Sequence, residues 1–159
     1  MSPTSKAPEL SDIQHIILRD LQALAREVEL TPDDLLWKGT EGIHNAVGTI
    51  AVHLCGNLQH FIGHEIGGNG YIRDRNAEFS GMPRPKARVL DEINLTMEVV
   101  DGVLSNLAPT RLDDPMPNPP PHHVGRNIRF FLFQLSCHLS RHTGQANYLR
   151  RILDCAERR

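Results

Sequence analysis

Apolar residues return along this chain at helical spacing in four stretches, and no strand-like stretch competes with them. Ile13, Ile17, Leu21, Leu24 and Val28 mark the first, with Ser11 placed to cap its start. Thr31-Pro32-Asp33-Asp34 then punctuates the chain, because proline does not continue a helix interior. Ile43, Val47, Ile50, Leu54, Leu58, Phe61 and Ile62 form the second stripe. Gly48, Gly56 and Gly63 interrupt it, and each weakens a helix by up to about 1 kcal/mol unless a neighbour packs closely against it. Gly67-Gly68-Asn69-Gly70 closes this helix, and a long charged stretch runs from Tyr71 to Pro85. The third stripe, Val89, Ile93, Met97, Val100, Val103, Leu104 and Leu107, starts from Lys86 and stops at Pro109. The proline-rich run from Asp113 to Pro121 connects to a last helix expected from about His123 to about Cys155.

Four amphipathic helices with two short connections and one long crossover, between the second and third, predict an all-α four-helix bundle. The length of 159 residues fits a single domain over 1–159, with residues 1–9 as a loose N-terminal tail. Aromatic residues make up 5% of the chain, which suits packed helices better than a β-sandwich. The formal charge of −2 lacks the basic footprint of a nucleic-acid binder. No apolar run reaches the length of a membrane span, and MSPTSKAP at the start has no apolar signal core. Cys55, Cys137 and Cys155 are odd in number and contain no CxxC pair, so a reducing cytoplasm is the expected location. Cys55 and Cys137 read as core residues.

Nine histidines are the compositional oddity. His138 and His142 stand four apart on the last helix, rotated by only about 40° and separated by roughly 6 Å along its axis. Leu135, Leu139 and Leu149 lie on or beside the same face, so both rings point inward, where a neutral imidazole must find a partner or bind something. The second helix supplies His53, His60 and His64, which share one stripe at α-helical pitch. His53 is favoured as the third ligand because it sits mid-helix among Ile50, Ala51, Val52 and Leu54. His60 and His64 form a rival pair, read as solvated or hydrogen-bonded side chains near the glycine-rich exit. His15, His44, His122 and His123 fall at helix starts or in loops, with no spacing that asks for a ligand role.

Three strings of this chain resemble, in order, the motifs of one known family. They are His53-Leu54-Cys55-Gly56-Asn57 (HLxGN), Arg73-Asp74-Arg75-Asn76-Ala77-Glu78-Phe79 (RDRxxEF) and His138 to Gln145 (HxxxHxGQ). They are similar to a branch of the DinB-like superfamily, and Trp37 precedes the second helix as in many of its members. The resemblance implies a DinB-like four-helix bundle, commonly a homodimer. It also implies a three-histidine site for a divalent metal, zinc or nickel, at His53, His138 and His142. Its relatives include S-transferases that use a low-molecular-weight thiol, which suggests a metal-dependent enzyme with a small-molecule substrate.

Three neutral histidines leave a metal with an open position, the pattern of a catalytic site. A thiol-dependent S-transferase and a metal-dependent hydrolase both suit it, as does a non-catalytic metal-binding sensor or interaction module. Glu65, Glu78 and Glu92 are unranked candidates for a general base and otherwise surface carboxylates. Arg73 and Arg75 either hold an anionic substrate at the mouth of the site, or Arg75 pairs with Glu78 to tie the crossover down. Asn57 and Gln145 fall close to the ligand face and either orient a ligand, bind substrate or anchor a loop. Gly144 reads as a point of close helix approach.

Overall fold

A computed structural model describes residues 8–157. Its main helices are α1 (Pro8–Leu30), α2 (Val47–Leu58), α4 (Lys86–Asn106) and α5 (Ile128–Glu157), with one short helix, α3 (Arg75–Glu78), in the crossover. They pack as a four-helix bundle in which α1 lies against α4 and α5, and α2 lies against the same pair. The expected stripes supply one continuous core. Ile13, Ile17, Leu21, Leu24 and Val28 of α1 meet Val89, Ile93, Val100 and Leu104 of α4 and Leu132, Leu135 and Leu139 of α5 there. Each such side chain contributes on the order of 2 kcal/mol by leaving water. Among the described residues, no helix is long and apolar enough to cross a membrane.

Several boundaries differ from expectation for identifiable reasons. Helix α1 begins at Pro8, so Ser11 sits inside it and does not cap it, and residues 8 and 9 belong to the helix and not to a tail. The remainder of that expected tail, residues 1–7, lies outside the described residues. Ile43 is excluded from α2 because it closes a tight turn, exchanging backbone hydrogen bonds with Thr40 in both directions. None of the three connections is short. Residues 31–46 and 107–127 are each held by buried anchors, Leu35 and Leu36 in one, Leu112 and Met116 in the other. The latter contains 3-10 turns at Pro109–Asp113 and Pro121–His123, so α5 starts at Ile128 and not near His123.

The largest departure lies in α2, which runs without a break into a π-helix, Gln59–Ile66. There the hydrogen bonds span five residues, as in Gly67 N–H to the Ile62 carbonyl at 3.0 Å, and the turn widens. Ahead of this switch, Gly48 is packed by the Trp37 indole, which a Cβ at 48 would meet at 3.0 Å. The Trp37 Nε1–H donates to the Arg84 carbonyl at 2.9 Å, tying the end of the crossover to the bundle. Gly144, by contrast, faces open space on the outer side of α5, so it does not mediate close helix approach. Cys137 shares that outer side and is exposed, which corrects its reading as a core residue. Cys55 is buried, and burial pushes its thiol up to about 12.

Candidate metal centre

The α-helical part of α2 carries His53 inward at the level where α5 presents His138 and His142. The three rings offer one nitrogen each within 4.8 Å of one another, the single such group of three or more potential ligands among the described residues. His53 Nε2 lies 3.1 Å from His138 Nε2. Two nitrogens each about 2.05 Å from a tetrahedral ion stand roughly 3.3 Å apart, so this spacing fits zinc with little adjustment. The rings meet edge to face, with centroids at 5.3 Å for His53 and His138, 5.5 Å for His53 and His142 and 4.4 Å for His138 and His142.

Two of the three imidazoles are held from behind. His53 Nδ1–H points at Glu78 Oε2, 3.0 Å away, which leaves Nε2 with the free lone pair. His142 Nδ1 lies 2.6 Å from Gln145 Oε1, so its Nε2 is likewise turned to the centre. Metal ligation needs neutral imidazoles, and burial favours that form at both histidines of α5. Burial pushes His138 down to about 4, with the charges of His142 and His53 adding to the effect. Burial also lowers His142, and Gln145 partly opposes it.

Glu78, an unranked candidate base in the sequence, takes a role that the sequence did not indicate. It is 6% exposed and not a surface carboxylate. Its partner is Arg73, which donates from Nε to Oε1 at 2.6 Å and from Nη2 to Oε2 at 2.8 Å. Burial pushes the carboxyl up, but hydrogen bonds from Arg73 and His53 outweigh it and hold Glu78 below its usual range. Of the two readings weighed for these arginines, the tie to Glu78 exists but is made by Arg73 and not by Arg75. The two glutamates considered alongside it are not free surface groups either. Glu65 accepts from Asn118 at 2.9 Å, and Glu92 pairs with Arg84 at 3.0 Å.

The motif residues now explain one another. A Cβ at Gly56 would collide with the Glu78 carboxylate, so this glycine makes room for the acid behind His53. Asp74 caps α3 by accepting from Ala77 N–H at 2.9 Å, which aims Glu78 at the bundle. Phe79 then packs on His53 with centroids 4.8 Å apart. The signal that could have found Glu78 was the pairing of a helix glycine with a distant acidic motif.

His60 and His64 do not join this site. They lie in the π-helical stretch, His60 already about 10 Å along the rod from His53, and they stack on each other with centroids 6.2 Å apart. Neither lines the cavity described next.

A cavity of about 740 Å³ opens above the three histidines. Ile50, Phe61, Phe79, Phe131 and Leu135 give it apolar walls. Asn57, Arg73 and Arg75 also line it, whereas Gln145 does not and serves His142 instead. The buried Asn57 Oδ1 has no hydrogen-bond partner. His122 and His123, given no role by their spacing, reach the cavity from the turn before α5. His15 and His44 are exposed.

Compared with known families, residues 16–146 match the model of the DinB superfamily. No curated protein matches the chain.

Proposed function

We propose, for a chain that belongs to the DinB superfamily, that His53, His138 and His142 hold one divalent ion and that the protein is a metal-dependent enzyme. The observation that carries this reading is the convergence of three imidazoles at the floor of a cavity. A closed structural centre takes four protein ligands, whereas three with an adjoining cavity keep a position open for a reactant. Zinc and nickel are the ions of choice, because imidazole suits both. Such an ion, when bound, supplies a Lewis acid that lowers the pKa of a thiol or water at its open position.

Among enzyme readings, we favour an S-transferase that uses a low-molecular-weight thiol. Among the described residues, no aspartate or glutamate lines the cavity, and Glu78 is committed to His53 and Arg73. Hydrolysis calls for a group that takes and returns protons beside the ion, a role that leaves only His122 and His123 among the cavity's described side chains outside the ligands. A thiol that ionises at the ion needs no such group to act as a nucleophile. Phe61, Phe131 and Leu135 are placed to keep water from the apolar part of the electrophile. We further propose a homodimer in a reducing cytoplasm. The exposed Phe133, Tyr148 and Ile152 on the outer side of α5 support the first, and three free cysteines support the second.

The test is elemental analysis after loading with zinc or nickel, followed by conjugation assays with small thiols and a chromogenic electrophile. Wild type is expected to hold one ion per chain, with His138→Ala and His142→Ala each losing most of it. Unchanged metal content in both variants overturns the site, and full metal content without thiol turnover overturns the transferase.

A further inference from the structure

We infer that the cavity above the histidines takes an organic anion with an aromatic or branched apolar body, and that Arg75 recognises its charge. The inference rests on the proposed function only in placing the reacting end of that molecule at the histidines.

The argument starts from charge. Among the described residues, no carboxylate lines this cavity, while two arginines do. Arg73 is neutralised by its two hydrogen bonds to Glu78. Arg75 is different. It forms no ion pair among the described residues, and its guanidinium lies over the Phe79 ring, 5.4 Å from the centroid. Stacking on an aromatic face steadies the planar group and leaves its N–H donors free for a carboxylate or another oxyanion. A single uncompensated cation beside apolar walls favours an anion, because those walls focus its field. A divalent ion at the histidines would act with the same sign.

The walls define the rest of the molecule. Phe79 packs against both Arg75 and His53, and Arg75 is exposed where His53 is buried, so the charged group binds near the rim and the reactive end reaches deeper. Phe61 and Phe131 face the space between, with ring centroids 4.9 Å apart, and Ile50 and Leu135 complete an apolar slot. The volume of about 740 Å³ suits a small molecule with one ring or a branched chain.

Three ligands of one shape test this: 3-phenylpropionate, its neutral amide and 3-phenylpropylamine. Each is titrated by calorimetry into zinc-loaded wild type, Arg75→Gln and Arg75→Lys, with zinc content measured in every sample. The carboxylate should bind wild type more tightly than the amide, and the amine most weakly. Arg75→Gln should reduce the carboxylate-over-amide preference about tenfold, the scale of one hydrogen bond to a charged group, and Arg75→Lys should keep part of it. Equal binding of carboxylate and amide to wild type overturns the inference. So does an unchanged preference in Arg75→Gln, or no binding of any of the three. A wild type that takes up no zinc yet shows the Arg75-dependent preference would refute the metal site and support the anion site.

Discussion

His53 and His60 stand seven residues apart on one continuous helical rod, and their surroundings differ in almost every respect. His53 lies in regular α-helix, with Glu78 at 3.0 Å behind its Nδ1 and two further imidazoles in front of its Nε2. His60 lies in the π-helical stretch. Its Nδ1 is buried without a partner, and its nearest carboxylate, Glu65, is 3.8 Å away, beyond hydrogen-bonding distance. The two histidines have the same chemistry. What separates them is about 10 Å along the rod, which puts only one of them level with the pair on α5, and a carboxylate, which fixes the tautomer and raises basicity.

The largest effect expected from this contrast is on metal affinity. His53→Ala should weaken zinc binding by more than about a hundredfold, the upper end of what losing only an outer partner costs. His60→Ala should change it by less than about twofold. Competition with a chromogenic chelator measures both. Comparable losses in the two variants would mean that His60 takes part in the centre after all.

Glu78→Gln sharpens the same comparison by making the surroundings of His53 more like those of His60. The ring keeps an acceptor but loses the charge behind it, and Arg73 loses its partner. Zinc affinity should fall about tenfold to a hundredfold. If affinity holds, the carboxylate is only a tether for the crossover. Far-UV circular dichroism with an unchanged helix content separates loss of support from loss of fold.

Much of the bundle was legible because burial writes itself into helical spacing. Ile13 to Val28, and Val89 to Leu104, appear in the structure with the inward faces that their spacing implied. His138 and His142 were legible for the same reason, since four residues on a helix is a local relation. The role of Glu78 behind His53 was not, because the two lie 25 positions apart across an irregular crossover and no periodicity links them. The π-helix was hidden too. Gln59 to Ile66 shows an ordinary apolar pattern, and nothing in it marks the wider turn. His122 and His123 illustrate a third limit. Their proline-rich segment reads correctly as a connection, but nothing local reveals that it folds back over the cavity.

The smallest expected effect concerns acid. Burial, helped by His142 and His53, holds His138 at about 4, against an ordinary value of 6.5. Between these values the unfolded chain binds a proton that the folded chain refuses. Stability is therefore fully present above about pH 6.5 and is lost as the pH falls toward 4. His60 is also lowered by burial, but Glu65 opposes the shift, so its share should be smaller. In protein stripped of metal by a chelator, unfolding free energy from urea titrations should drop by about 1 kcal/mol between pH 7 and pH 4.5 on account of His138, a figure discounted for its partial exposure. His138→Asn should remove most of that drop, and His60→Asn little of it. If His60→Asn removes more, the ring in the π-helix is the one that the fold keeps neutral, and the contrast between the two regions reverses.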